Sequence, residues 1–427
     1  MKQSTALTVL KTGANVFLTG EAGSGKTYTI NLFKDFLRSK YKTVAVTAST
    51  GIAATHINGI TIHSFSGLGI KEKIEQKDLD TIASKKHVVD QIQNADVLII
   101  DEISMLSAQV LDNVERIISY IRGGVFDDRA FGGMQVIFVG DFYQLPPVDK
   151  KGIAKFAFES DAWKKAKPVT CYLDEQHRQS DPVFTDILNS LRHGTITEEH
   201  KRLICANNVS EIPKTKLFTH NRDVDDLNEK ELRKMDGDAY IYDMQYNENS
   251  WNKFLIETLK KGCLSPETLI LKKGALVMFT RNNFKDGETN YVNGTIGTVI
   301  DLDGTCITVR TKQGAVIHLT ERAKWSIGED EDEKASISQF PLRLAWAVTI
   351  HKSQGMSLDS AVIDLSNCFE YGQGYVALSR VCSLCGLFLE GINPMAFKMH
   401  PQVIEQDKLF RISSKEMDEK YNNNENI

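Results

Sequence analysis

Eight consecutive residues, Gly20-Glu21-Ala22-Gly23-Ser24-Gly25-Lys26-Thr27, bring together the types needed to hold a polyphosphate. Gly20, Gly23 and Gly25, with the small Ala22 and Ser24, let backbone N–H groups curl around phosphate oxygens. A helix starting at Lys26 adds its positive end. Lys26 is placed to reach the β- and γ-phosphates, and the Thr27 hydroxyl to ligate Mg²⁺. A second group, Asp101-Glu102, follows the apolar run Val97-Leu98-Ile99-Ile100. Asp101 would hold Mg²⁺, directly or through water, while Glu102 would orient and deprotonate an attacking water. A third, Gly140-Asp141-Phe142-Tyr143-Gln144, follows another apolar run and is halted by Pro146-Pro147. Gln144 would touch the γ-phosphate and report its loss; taken alone, it is equally well a loop amide bonded to its own backbone. Together these residues predict binding and hydrolysis of a nucleoside triphosphate with Mg²⁺.

Such groups must be set at the ends of buried strands. The phosphate loop lies between the apolar run 16–18 and a helical pattern over 28–37. Further β-type runs occur at 43–46, 97–100 and 135–139, with a weaker one at 169–173, and helical patterns lie between several of them. Short apolar strands alternating with helices predict a parallel sheet covered on both faces, its functional residues at the carboxyl ends. Runs at 216–219, 361–364 and 387–389 repeat the style in a second α/β block. Within that block, about 265–336 carries short β patterns with turn signals, a small antiparallel barrel or sheet. From about Ser413 the chain is polar and ends in an asparagine-rich stretch, which predicts a frayed or disordered tail.

Composition excludes more than it specifies. The 41% hydrophobic and 25% charged fractions are those of an ordinary soluble protein, and no apolar run reaches a membrane-spanning length. A net charge of −5 argues against a histone-like binder of nucleic acid, though not against a local basic groove. Lys34, Arg38, Lys40 and Lys42 are locally basic and the run 329–333 is acidic; both read as solvated surface. Seven scattered cysteines fit a reducing compartment, and the single Cys382–Cys385 pair has no second pair at metal spacing. No targeting segment is visible, so a cytoplasmic location is expected, with nuclear or organellar ones left open.

The three groups above, with Tyr375-Val376-Ala377-Leu378-Ser379-Arg380, resemble the motif series of superfamily 1 class B helicases. Within them the chain is similar to the Pif family, kin of the RecD-like helicases. The stretches 47–54, Thr61-Ile62-His63-Ser64-Phe65, 344–355 and 111–122 carry this further resemblance. It implies two RecA-like P-loop lobes with parallel sheets that close on ATP, single-stranded DNA crossing both. The first lobe would be 1–172, with a wedge-like insertion at 66–89. The second would be 173–264 with 337–400, interrupted by a Src-homology-three-like β insert at 265–336, and 401–427 would be a tail.

By the same resemblance, Gln3 reads adenine, Gly355 joins the nucleotide contacts, and Arg178 and Arg380 reach the γ-phosphate. Thr47, Ser49, Thr50 and Gly51 would bond DNA phosphates without reading bases, together with Thr349, Lys352 and Gln354. His63 with Phe65, and Trp346 with His351, offer flat faces for stacking, although Phe65 and Trp346 without the family match read as core. The implied activity is a DNA-stimulated ATPase and 5′-to-3′ helicase acting on single strands, single–double-strand junctions, RNA–DNA hybrids and G-quadruplexes. Replication, recombination, repair and telomere maintenance are the implied settings, with a monomer in solution and no membrane partner. The competing readings are a RecD-like motor inside a nuclease complex, a DNA clamp or annealing protein, and a P-loop kinase. The kinase predicts neither a second lobe nor remote arginines.

Overall fold

A computed structural model describes residues 1–57, 59–69, 71, 73–123, 128–147, 155–175, 181–206, 215–219, 224–246, 253–281, 283–285, 288–291, 293–312, 314–327, 335–350, 353–354 and 356–424. The chain forms two compact units, Met1–Arg178 with His400–Ile427, and Gln179–Met399.

The first unit is built on six parallel strands: Val16–Gly20 (β1), Val44–Ala48 (β2), Ile60–Thr61 (β3), Val97–Asp101 (β4), Gln135–Val139 (β5) and Val169–Leu173 (β6). Their order across the sheet is β3-β2-β4-β5-β1-β6. Five of these strands coincide with the apolar runs. All five residues of β1 are buried, so the strand is continuously covered rather than alternating, as a sheet packed on both faces requires. Only β3, two residues long, leaves no pattern to read.

The lysine-bearing insertion folds as two short helices, Gln76–Ala83 and Lys86–Asn94. Leu79, Ile82, Val88 and Ile92 are buried, while Lys71, Lys73, Lys77, Lys85 and Lys86 are exposed. The pair rests on the helix Ala108–Gly123, which contains the stretch 111–122. Arg116 donates to the Ile74 carbonyl at 3.1 Å and Tyr120 to Asp80 at 2.7 Å. Arg122 donates to the carbonyls of Ile92 at 2.9 Å and Ala95 at 2.7 Å, fixing the end of the second short helix.

The expectation of a frayed tail is corrected. Pro401–Asn424 is one continuous helix, and it packs on the first unit. Phe410 meets Phe17 with ring centroids 4.8 Å apart, and Phe142 at 6.1 Å. Ser414 accepts from the backbone N–H of Tyr172 at 2.9 Å, covering the outer side of β6. Met417 and Tyr421 join the core of β1 and β5. Buried apolar contact, rather than helix propensity, holds this segment. Phe410→Ala is therefore expected to destabilise the first unit by about 3–5 kcal/mol, read as a lower denaturation midpoint.

In the second unit four parallel strands run in the order Ala347–Thr349, Lys216–Phe218, Ala361–Leu365, Leu387–Ile392. The β-rich portion is antiparallel. Val316–Leu319, Ile307–Thr311, Ile296–Leu302, Leu276–Phe279 and Leu342–Leu344 form one five-stranded sheet. The β-rich portion as a whole, with its two smaller sheets, draws in chain on both sides of 265–336. Leu342–Leu344 is an edge of the five-stranded sheet, Tyr240–Asp243 pairs with Thr268–Leu271, and Gln245–Tyr246 pairs with Ala335–Gln339. Tyr240, Ile241 and Tyr246 are exposed, so these flanking strands lack the alternation that marks a half-buried strand. Among the described residues no helix is long and apolar enough to cross a membrane, and no three His, Cys, Asp or Glu side chains cluster as a metal site.

Candidate nucleotide and nucleic-acid site

The phosphate loop connects β1 to the helix Lys26–Ser39. Gly25 caps that helix at φ +83° with no side-chain hydrogen bond, so the first N–H groups of the helix face the loop. Gly20 has φ +149°, and a Cβ there would lie 2.7 Å from the Leu173 carbonyl oxygen and from Ser24 Oγ, so only glycine fits. The Lys26 ammonium donates to the carbonyls of Gly20 at 2.8 Å and Glu21 at 2.9 Å, closing the loop on itself. Ser24 Oγ is buried and has no hydrogen-bond partner among the described residues. A hydroxyl left orphaned inside a phosphate-type loop fits a group that accepts hydrogen bonds there. Gln3 donates through its side-chain amide to the Ser24 carbonyl at 3.2 Å, so the chain start and the loop are in contact.

β4 delivers Asp101 and Glu102. Burial raises the Asp101 carboxyl, against the opposing pull of the Glu102 N–H and the Lys26 charge. Glu102 is left-handed at φ +51°, a conformation costing a non-glycine residue about 1–2 kcal/mol. Several bonds hold it there. Its N–H donates to Asp101 Oδ1 at 2.8 Å, its carbonyl accepts from Ser49 Oγ at 2.8 Å, and the Ser49 N–H reaches the Asp101 carbonyl at 3.1 Å. Strain kept at the end of a buried strand beside a phosphate loop is what a catalytic carboxylate would use. Gly140, at φ +153°, lets the chain after β5 pass this turn; a Cβ there would lie 3.0 Å from the Ile103 nitrogen. The loop continues through buried Asp141, whose carbonyl accepts from the Gln144 N–H at 2.9 Å, to buried Gln144.

Thr27 and Asp101 line one narrow cavity with Ile30, Lys34, Val46 and Ile99. A hydroxyl and a carboxylate at such a spot are the hard oxygen donors Mg²⁺ takes. Those two residues would hold it.

The expected DNA contacts divide. Thr50 accepts from the Ala53 N–H at 3.2 Å at the start of the helix Gly51–His56, and both Thr50 and Gly51 are half-buried. His63 is half-buried, and burial lowers its pKa, favouring a neutral ring. Gln354 is nearly buried in the turn after Ser353. Three of the expected contacts are buried. Thr47 is fully buried within β2 and its hydroxyl donates to the Ile99 carbonyl at 2.7 Å, so it knits β2 to β4 instead of meeting phosphate. Phe65, itself part of the helix Ile62–Ser66, is buried and presents no exposed face to a base. Thr349 is fully buried at a strand end, where its carbonyl accepts from the Ser353 N–H at 2.9 Å and shapes the turn. Ser49 donates its hydroxyl to the Glu102 carbonyl, which makes it an organiser of the acidic turn. Trp346 packs against the core of the β-rich sheet.

Arg380 is fully buried within the second unit. Its Nε donates to the Val376 carbonyl and one Nη to Ser379 Oγ, both at 2.8 Å, with longer contacts to the carbonyls of Ser353 and Met356. Arg178, His351, Lys352, Gly355 and the acidic run 329–333 lie outside the described residues.

Glu175 and Asp174 were not anticipated. Glu175 accepts from the Gln3 N–H at 3.1 Å, and Asp174 pairs with the terminal ammonium of Met1. Both directly follow β6, and the rule that strand ends carry the functional groups would have pointed to them.

A family model described as PIF1-like helicase matches residues 2–202. An ATP-dependent DNA helicase Pif1 from Psychrobacter sp. (strain PRwf-1) is 42% identical over 96% of this chain and 71% of its own length. The structure of Bacteroides sp. Pif1 in complex with ADP-AlF4 is 30% identical, with a TM-score of 0.80 over 96% of either chain. Bacteroides Pif1 in complex with ADP-AlF3 and single-stranded DNA, also 30% identical over 96% of either chain, aligns at 0.64. With its parallel-sheet RecA-like lobes and its phosphate loop set beside an acidic strand end, this chain belongs to the PIF1-like helicase family.

Proposed function

We propose that the protein is an ATP-driven motor that binds single-stranded DNA, travels 5′ to 3′ and unwinds duplexes, RNA–DNA hybrids and G-quadruplexes, acting as a monomer. One observation carries the reading. Lys26, the Asp101–Glu102 turn and the loop bearing Gln144 stand at the carboxyl ends of β1, β4 and β5, three adjacent strands of one sheet. The DNA-bound and nucleotide-bound Bacteroides relatives support it.

On ATP binding the Lys26 ammonium leaves its two carbonyl partners for β- and γ-phosphate oxygens, with Ser24 and the open N–H groups of the helix taking others. Thr27 and Asp101 would hold Mg²⁺, which would supply neutralisation of phosphate charge. Glu102, already fixed by its strained turn, orients the attacking water and takes its proton. Gln144 stands on the loop that passes that turn, so it is placed to register whether the γ-phosphate is present. Arg178 and Arg380 are assigned to the γ-phosphate. Thr50, Gly51, His63 and Gln354, with His351 and Lys352, are assigned to the DNA. The strand-end layout therefore joins the chemistry of β4 to the grip that follows β2.

The test is unwinding of matched duplexes carrying a 5′ or a 3′ single-stranded tail. The 5′-tailed substrate should be opened and the 3′-tailed one left. Preference for the 3′ tail overturns the direction, and ATP turnover without unwinding of either favours a clamp.

A further inference from the structure

The helix Lys26–Ser39 ends in a way that neither local backbone preference nor burial explains. The N–H of Tyr41 donates to the Arg38 carbonyl at 3.0 Å and that of Lys42 to the Leu37 carbonyl at 3.0 Å, the paired bonds of a left-handed helix cap. Glycine is the usual residue at the position Tyr41 takes, because side chains are disfavoured there. Tyr41 sits at φ +55° and is 98% exposed. A large aromatic has thus been kept in a strained conformation, wholly in water, between two lysines. Sites where a sequence breaks local rules without structural gain are expected to be functional ones.

The surroundings are predominantly basic. Lys40 and Lys42, on either side of Tyr41 in the sequence, line a cavity of about 930 Å³ with four further Lys or Arg and two Asp among the described residues, in a chain of net charge −5. It lies at the amino-terminal ends of β1, β2, β4 and β5, the end of the sheet opposite the phosphate loop. The Lys11 ammonium stands 4.8 Å from the Phe36 ring centroid and that of Lys40 6.0 Å, and neither has a carboxylate partner among the described residues. Lys42 is paired with Asp96 at 2.8 Å, but both are solvent-facing, so the pair contributes little and a phosphate can replace the carboxylate. Arg122 and Lys165 are committed, to backbone carbonyls and to Glu115.

We propose that this surface is a second binding site for single-stranded nucleic acid. A base stacks on Tyr41, while Lys11, Lys40 and Lys42 hold the adjacent phosphates. An exposed ring with flanking cations accepts any unpaired base, whereas a duplex keeps its base faces covered. The choice of occupant rests on the helicase reading above; the surface itself stands on its own geometry. Its position on the far end of the sheet gives a strand a second foothold that does not turn over with ATP.

The experiment compares labelled oligothymidylates of about 8 and about 40 nucleotides, the first long enough for one stacking groove only. Tyr41→Gly places the preferred residue at the cap, so it should melt no lower than the unsubstituted protein. It should weaken the long oligonucleotide about fivefold or more and leave the short one within about twofold. Lys11→Glu combined with Lys40→Glu should lower the salt dependence of long-strand binding by a slope of about 1.4, two phosphates' worth. DNA-independent ATP turnover should not change in either. Variants that bind the long strand as the unsubstituted protein does, or that weaken both lengths equally, overturn the site. An unsubstituted protein that binds neither length removes the helicase reading, and this proposal with it.

Discussion

Lys26→Ala is expected to bring ATP turnover at saturating single-stranded DNA down by about 10²–10³-fold, the scale of losing a principal charge-stabilising donor. The ammonium already occupies the phosphate loop, held at 2.8 and 2.9 Å by two loop carbonyls. Those bonds are what a phosphate oxygen replaces, so the side chain needs little reorganisation to engage its substrate. Alanine removes the donor and also leaves the Gly20 and Glu21 carbonyls without that partner. Because the loop is half-exposed, water replaces the lost bonds, and the melting temperature should move little. Steady-state turnover and thermal denaturation measured on one preparation separate the two effects. DNA-stimulated turnover surviving in this variant would sink the assignment of the site.

Arg380→Ala carries the second large effect. An arginine that neutralises charge on a transferring phosphoryl group contributes about 10³–10⁵ in rate, so turnover should fall by that amount while a fluorescent nucleotide still binds. The buried hydrogen bonds of Arg380 complicate the outcome in a useful way. The guanidinium holds the Val376 carbonyl and Ser379 Oγ, and cutting these should cost the second unit about 1–3 kcal/mol. A purely structural Arg380 would therefore lower the unfolding midpoint yet spare turnover well below it. Arg380→Lys keeps the charge but loses the planar fork, and should restore stability and turnover only in part. Normal turnover in a folded Arg380→Ala protein would confine this residue to the core.

The nucleotide half of the site was legible because its grammar is local. Strand, glycines, lysine, threonine and helix occur in one continuous stretch, and Gly20, Gly25 and Gly140 stand where the backbone requires them. The nucleic-acid half was less so, because burial is decided across the sheet. Thr47 reads as a polar residue heading into a loop, yet its hydroxyl belongs to the carbonyl of Ile99 on the neighbouring strand, 52 positions away. Phe65 and Thr349 are likewise buried, since motif spacing records which segments gather at a strand end, not which side chains face outward. The carboxyl-terminal helix is a different kind of miss. Phe410, Ser414, Met417 and Tyr421 recur at helical intervals and form its packed stripe. The signal was present, thinned by the Lys, Glu and Asn around it.

That helix also fixes an order of assembly. The first unit takes residues from both sides of the second, so its core stays open until the chain from His400 onward has been made. About 220 residues separate the two contributions, which at ~5–20 residues per second leaves roughly 10–40 s of synthesis. Through that interval Phe17, Phe142 and Trp163 lack the ring of Phe410 that later covers them. The motor unit starts first and is finished last, and a ribosome that stalls inside the second unit leaves an apolar face exposed to chaperones and proteases.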